Sequence, residues 1–495
     1  MTTVRLDRLA FAHGDAVPIL EETDLVLTQS WTGLVGENGS GKTTLLRLIA
    51  GELQPRSGRV RFGPESATVI VCAQEVEAVD DSICAFAKRT DGVAHRLRGM
   101  LRLTHEMLDQ WPTLSPGQRK RWQIGAALAQ DPEVLLLDEP TNHLDAEARA
   151  LLLASLRRFG GLGVLVSHDR GLLEALTERT LRLHRGIACL YAGPYGEARA
   201  LWEAELRGAW SRRSEAQQEV RRAALKLANA RRTRDAAERS MSGRHRNPKD
   251  RDARSTGAKT LRSWAEGRLG GDVTRLRATA ERAARAVPEP PNQVELGRSI
   301  FLGFNASPGP VLLSLDAPEI RAGEVTLLQD VHVVVRRHDR LRLEGRNGSG
   351  KSTLLRALLV GSKLPEDRLL FLSQELPAGR GQELLEEVCS LELDVRGRVL
   401  SLVAALGTDP DRVLSSRAPS PGEARKLLLA LGLARHVWGV VLDEPTNHLD
   451  LPTIERLEEA LAAYPGAIVL VTHDDAFARR CTEGIWRIEG QRVIT

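Results

Sequence analysis

Gly36-Glu37-Asn38-Gly39-Ser40-Gly41-Lys42-Thr43 is the stretch that decides the fold. It follows a short apolar run, Thr32-Gly33-Leu34-Val35, that reads as a strand, and it leads into Thr44 to Ala50, which reads as a helix. In that context the glycines let the backbone curl until its N–H groups point at phosphate oxygens, and the start of the helix adds partial positive charge. Lys42 is then placed to reach the β- and γ-phosphates and the Thr43 hydroxyl to hold Mg²⁺, while Gly36, Asn38, Gly39, Gly41 and Thr44 complete the cradle. The same pattern recurs at Gly345-Arg346-Asn347-Gly348-Ser349-Gly350-Lys351-Ser352, followed by Thr353. The expectation is an α/β chain with two nucleotide sites.

Working outward, Val134-Leu135-Leu136-Leu137 ends in Asp138-Glu139. A continuous apolar run reads as a strand buried on both faces of a parallel sheet, and its end delivers two carboxylates to the phosphates. Asp138 is placed to bind Mg²⁺ through water, and Glu139 to orient or deprotonate an attacking water. Asp443 and Glu444 repeat the pair. The copies are offset by 305 residues from Glu139 to Glu444 and by 309 from Lys42 to Lys351, so the length variation lies between P-loop and carboxylates.

Further pieces fall into the same order. Gln74 follows the strand Thr68 to Cys72; Leu114-Ser115-Pro116-Gly117-Gln118 precedes the carboxylate strand; Thr141-Asn142-His143-Leu144-Asp145 follows it; and His168 sits in Ser167-His168-Asp169. The second copy has Gln374, Pro419-Ser420-Pro421-Gly422-Glu423, Thr446 to Asp450, and His473. Together they resemble the Q-loop, signature motif, D-loop and switch histidine of ATP-binding cassette ATPases. That resemblance implies ATP as ligand, with the signature Ser and Gly of one cassette closing on the γ-phosphate held by the other. Site one then combines Lys42, Gln74, Glu139 and His168 with Ser420 and Gly422. Site two combines Lys351, Gln374, Glu444 and His473 with Ser115 and Gly117. Gln118 and Glu423, the last residues of the two signatures, are implied to bind ATP as well. Mg²⁺ falls to Thr43, Gln74 and Asp138, and to Ser352, Gln374 and Asp443.

The chain departs from the family pattern in places. Pro116 and Pro421 each replace a signature glycine and remove an N–H, and the second signature opens with Pro419 in place of Leu. The family stacks adenine on an aromatic residue; the first copy offers His13 or Phe11, and the second offers none between Val311 and Leu328.

Between the copies, residues 197–287 hold 23 basic and 12 acidic residues, a net of +11 in a chain of +4, which leaves the flanking parts at −7. Leu206, Ala209, Arg213, Ala216, Val220, Ala223, Leu227 and Ala230 recur at alternating steps of three and four, a heptad seam broken once by Arg213. Leu269, Val273, Leu276, Ala280, Ala283 and Val287 repeat the spacing. Two seams joined by a loop predict an antiparallel helical hairpin, with Asp272, after Gly270-Gly271, as N-cap of the returning helix. A helix of about 40 residues spans ~60 Å. Ser242-Gly243 and Asn247-Pro248 are the breakers at the tip. The tip carries Arg239, Arg244, Arg246, Lys249, Arg251, Arg254, Lys259 and Arg262 against Asp250 and Asp252, a charge that suits RNA phosphates. The expected domains are 1–196 and 288–495, both cassettes, and 197–287, the linker.

Tandem cassettes with a basic linker are similar to the F subfamily of ATP-binding cassette proteins. That similarity implies a ribosome partner near the tRNA exit site, with the linker reaching P-site tRNA and the peptidyl transferase centre, in a translation factor or an antibiotic-resistance protection factor. It also implies a monomer whose cassettes pair intramolecularly. About 40 residues separate Gln74 from Ser115, too few for the additional arm some members carry. A fused ATPase subunit of a membrane transporter would want a short neutral linker, and a DNA-acting ATPase a zinc site or a far longer coiled coil. No apolar run reaches the ~18–20 residues of a membrane span. The N-terminus lacks the form of a signal peptide, and the five cysteines are scattered without paired spacing. The expected setting is the cytoplasm, with neither membrane nor DNA as partner.

Overall fold

Each glycine-rich turn leaves the carboxyl end of a parallel strand. The computed structural model describes residues 1–12, 14, 18–142, 144–241, 256–288, 301, 304–346, 348–377, 379–416, 418–447 and 449–495. His13, His143, Asn347 and His448 lie outside them, as do the tip residues Arg244, Arg246, Lys249, Arg251 and Arg254.

The first cassette contains strands β1 (Thr3–Phe11), β2 (Leu20–Thr28), β3 (Ser30–Gly36), β4 (Ser57–Gly63), β5 (Val69–Cys72), β6 (Val134–Asp138), β7 (Leu162–Val166), β8 (Arg179–His184) and β9 (Ile187–Ala192). Its helices are α1 (Lys42–Ile49), α2 (Asp81–Lys88), α3 (Gly92–Leu101), α4 (Glu106–Asp109), α5 (Pro116–Ala129), α6 (Ala146–Leu156) and α7 (Arg170–Leu176). A six-stranded sheet in the order β5-β6-β7-β3-β8-β9 is parallel except at β9, and a three-stranded antiparallel sheet has the order β2-β1-β4. Strands β6 and β7 are buried at every position, as unbroken apolar runs demand. Because β3, β5, β6 and β7 point the same way, their carboxyl ends share one edge. That edge carries the P-loop, Gln74, the Asp138-Glu139 pair and His168, the place where open α/β sheets bind ligands. Leu34, Leu45, Leu136 and Val164 pack beneath it, and Ile83, Phe86, Leu101 and Trp122 form a separate core under α2, α3 and α5.

Two helices follow, α8 (Tyr195–Met241) and α9 (Thr256–Arg285). Residues Arg199–Gln293 form a compact unit separate from Met1–Ala198 with Val294–Thr495. Ala223 and Val273, both seam positions, are each only 9% exposed. Arg213, the residue that breaks the seam, donates from Nη1 to the Pro288 carbonyl at 2.6 Å, so points 75 residues apart meet and the chain doubles back. Asp272 is not an N-cap: α9 runs unbroken through Gly270-Gly271-Asp272 from Thr256. An interior glycine costs a helix only about 1 kcal/mol, which seam contacts such as that of Val273 outweigh. Arg239, Lys259 and Arg262 fall on helical backbone.

The second cassette repeats the plan with β10 (Val311–Ala322), β11 (Val325–Arg336), β12 (Arg340–Glu344), β13 (Leu369–Leu372), β14 (Gly439–Asp443), β15 (Ala467–Val471), β16 (Gly484–Glu489) and β17 (Arg492–Ile494). Its helices are α10 (Lys351–Val360), α11 (Arg380–Ser390), α12 (Leu393–Ala405), α13 (Pro410–Ser415), α14 (Pro421–Ala434), α15 (Leu451–Ala463) and α16 (Asp475–Cys481). The sheet order β13-β14-β15-β12-β16-β17 matches the first cassette strand for strand, and a β10–β11 hairpin stands in place of the three-stranded sheet. Tyr195, the first residue of α8, is buried and donates its hydroxyl to Glu455 Oε1 on α15 at 2.7 Å. Among the described residues no helix is long and apolar enough to cross a membrane.

Candidate functional site

The P-loops set the geometry. Gly41 and Gly350, the residues just before α1 and α10, have φ of 98° and 97°, a left-handed conformation natural to glycine. Lys42 Nζ donates to the carbonyls of Gly36 and Glu37 at 2.9 and 3.0 Å, and Lys351 Nζ to those of Gly345 and Arg346 at 2.8 and 3.0 Å. Burial lowers the pKa of both lysines, opposed by Glu139 beside Lys42 and by Glu444 beside Lys351. The Thr43 hydroxyl donates to Asp138 Oδ2 at 2.7 Å. Burial raises the Asp443 carboxyl, and a hydrogen bond from Ser352 opposes the rise. A hydroxyl beside a carboxylate at each P-loop is a hard oxygen pair that fits Mg²⁺. Among the described residues no group of three or more His, Cys, Asp or Glu could hold a metal, so phosphate oxygens would have to complete its shell.

Glu139 and Glu444 are 6% and 8% exposed. Both adopt a positive φ, 46° and 49°, which costs a side-chain-bearing residue about 1–3 kcal/mol. Their N–H groups donate to the carbonyls of Val166 and Val471, each at 2.9 Å, which fixes the turn. His168 Nε2 stands 3.2 Å from Glu139 Oε1, and His473 Nε2 stands 3.5 Å from Glu444 Oε1. Burial pushes Glu139 up to about 8 and Glu444 to about 7, and pushes His168 down to about 3 and His473 to about 4. Each pair is therefore a neutral imidazole against a carboxyl that titrates near neutrality, the range a general base needs.

The signature motifs open α5 and α14. Ser115 and Ser420 are N-caps that accept from the N–H of Gln118 and Glu423, each at 3.3 Å, while the side chains of Gln118 and Glu423 accept from the serine N–H, each at 2.8 Å. Both form a capping box. Pro116 and Pro421 hold the first helical position, where the missing N–H has no intrahelical partner in any case. That accounts for prolines where the family has glycine, and it gives Gln118 and Glu423 a capping role.

A cavity of about 950 Å³ joins much of both sets. From the first cassette it takes Lys42, Thr43, Gln74, Asp138, Glu139 and His168, with Asn38, Gly39, Gly41 and Thr44 beside them. From the second it takes Lys351, Ser352, Gln374, Asp443, Glu444 and His473, with Gly348, Gly350 and Thr353. Ser420 and Gly422 also line it; Gly36, Ser115, Gly117, Gln118, Gly345 and Glu423 do not. Phe11 packs in the core of the first cassette. Ile19 and Leu327 line the cavity instead, aliphatic groups beside the two P-loops.

Some residues here were not singled out in the sequence. Lys120 Nζ donates to the carbonyls of Asp138, at 3.1 Å, and of Ala73. Arg425 donates to the carbonyls of Glu444 and Gln374 at 2.9 and 2.7 Å. Each ties the carboxylate strand to the Q-loop, and the pair sits at the same 305-residue offset, a signal that could have revealed them. Asp450 caps α15 through Oδ1 and reaches the other cassette through Oδ2, which accepts from Asn38 N at 2.6 Å.

Two P-loop cassettes, each with a histidine beside its buried glutamate, define an ATPase of the ATP-binding cassette class. The family model described as ABC transporter matches residues 25–142 and 328–447. The chain is 31% identical to the tylosin resistance ATP-binding protein TlrC of Streptomyces fradiae, over 91% of this chain and 90% of that one. It is 28% identical to the ribosome protection protein VmlR of Bacillus subtilis, over 96% of this chain and 83% of that one. A crystal structure of archaeal ribosomal stalk protein aP1 with the ribosome recycling factor aABCE1 aligns with a TM-score of 0.62 at 18% identity, covering 98% of this chain and 89% of that one, a likeness of fold. The chain belongs to the F subfamily of ATP-binding cassette proteins, and it is an ATP hydrolase.

Proposed function

We propose that this protein binds the ribosome near the tRNA exit site when ATP closes its cassettes, and that the linker, residues 197–287, acts on P-site tRNA and the peptidyl transferase centre. The observation that carries the reading is one chain pairing two full sets of ATPase residues with a linker of net charge +11. Lys and Arg that neutralise phosphates release counterions, and this drives affinity for RNA. The name of VmlR, a ribosome protection protein, supports the same partner, and that of TlrC, a tylosin resistance protein, supports the resistance branch. The proposed setting is the cytoplasm, and the proposed form a monomer whose cassettes, 1–196 and 288–495, pair within the chain.

In this reading the P-loop N–H groups, Lys42 and Lys351 hold the phosphates. Ser420 and Gly422 complete the first site, and Ser115 and Gly117 the second. Mg²⁺ would be held by Thr43, Gln74 and Asp138, and by Ser352, Gln374 and Asp443; when bound it neutralises phosphate charge. Glu139 and Glu444 take the proton of the attacking water, and His168 and His473 orient it and the γ-phosphate. Loss of that phosphate loosens the cassettes and releases the ribosome.

The test is Glu139→Gln with Glu444→Gln. The double variant binds ATP, turns over at least about 100-fold more slowly, and cosediments with ribosomes when ATP is present. Sedimentation free of ribosomes under those conditions sinks the assignment. A drug-susceptibility panel then separates a protection factor from a general translation factor.

A further inference from the structure

Among the described residues, the two switch loops are joined by guanidinium groups that the first cassette supplies. Arg149, on α6, forms an ion pair through Nε with Asp169 Oδ2 at 2.9 Å, next to His168. Its Nη1 donates to the main-chain carbonyl of His473 in the other cassette at 3.0 Å. Arg170 reaches across the same seam, with Nη2 at 2.7 Å from Glu458 Oε2 and 3.2 Å from Asp474 Oδ2. Arg170 and Glu458 are 11% and 6% exposed in their side chains, so these contacts are largely out of water.

At the 305-residue offset, Arg149 corresponds to Ile454 and Arg170 to Asp475. Ile454 is buried and apolar, and an aliphatic side chain cannot donate to the carbonyl of His168. Asp475 turns to Arg342 of its own cassette at 2.6 Å. Among the described residues support therefore runs one way: the first cassette braces the second switch loop, and no equivalent group braces the first. Arg149 lines the shared cavity with Glu444 and His473, close enough for its charge to act on both.

We propose that Arg149 is a positioning residue acting in trans on the second ATP site: by holding the His473 carbonyl it sets the switch imidazole against Glu444, and the first site turns over without such a brace. The two sites are thus non-equivalent although their P-loops, carboxylates and switch histidines match. The assignment rests on the reading of two working ATP sites given above.

The experiment uses the full-length chain with ATP and Mg²⁺ in two single-site backgrounds. Glu139→Gln leaves the second site to report, and Glu444→Gln the first. Arg149→Ala is placed in each, with Arg149→Lys as the conservative variant. In the Glu139→Gln background Arg149→Ala lowers kcat about tenfold or more, as expected when a reacting group loses its placement, with KM for ATP within about twofold of the parent. Lysine, which keeps the charge and can still donate to the carbonyl but lacks the guanidinium fork, retains more of kcat than alanine. In the Glu444→Gln background the loss is several-fold smaller. Equal losses in the two backgrounds overturn the proposal, because Arg149 would then serve Asp169 or overall folding. A loss confined to KM overturns it as well. Absence of turnover in both parent backgrounds, before Arg149 is touched, sinks the two-site reading and this assignment with it.

Discussion

At the scale of single residues, Glu139 and Glu444 are held against their own preferences. They are buried carboxyls with raised pKa values, about 8 and about 7, and both have positive φ. An acid whose folded pKa lies above its unfolded value binds more protons folded than unfolded between the two. Stability therefore falls as pH rises from about 4.5, the unfolded value, to about 8. Without nucleotide, Glu139→Gln with Glu444→Gln should unfold at a higher temperature than the parent, by about 2–4 °C per kcal/mol relieved. The gain should be larger at pH 8 than at pH 5, and a gain that is the same at both pH values contradicts the burial argument. The placement of these glutamates was legible in the sequence, because an unbroken apolar run after a P-loop reads as a buried strand of the same parallel sheet, with the pair at its end. The bracing by Lys120 and Arg425 was not, because a cation two positions beyond a signature motif shows its purpose only when its carbonyl partners fold around it.

At the scale of elements, the linker shows how packing overrules local punctuation. Gly270-Gly271-Asp272 reads as a turn followed by a cap, yet α9 passes through it. A Cβ added at Gly267 or Gly271 would meet nothing within 4 Å. Gly267→Ala with Gly271→Ala should therefore stabilise the linker by about 1 kcal/mol per site, seen as slower amide exchange in α9. Unchanged exchange would contradict an unbroken helix through both glycines. The capping boxes make the opposite point. The Ser-Pro-Gly-Gln and Ser-Pro-Gly-Glu runs carry a helix start in their own sequence, and the structure realises both with proline in the first turn. Local chemistry was sufficient there because every partner lies within three residues.

At the scale of the whole molecule, the repeat of two cassettes could be read from their matching motifs, and both sheets share one strand order. What could not be read is how the halves touch. Asp450 on Asn38 and Arg149 on His473 join residues 412 and 324 positions apart, and no periodicity in one copy announces a partner in the other. The charge of the linker is a property of the entire chain and leads to a prediction at that scale. Replacing Arg239, Arg244, Arg246, Lys249, Arg251, Arg254, Lys259 and Arg262 by glutamine should leave steady-state ATPase activity within about twofold of the parent and remove the effect on a cell-free translation reaction. Equal loss of both activities would show that the tip serves folding alone. The bond from Tyr195 to Glu455 gives the first turn of α8 a fixed footing on α15, the helix that begins at the aspartate capping the P-loop of the other cassette. A helix of 47 residues is ~70 Å long, and its first turn is the part that this bond ties to α15.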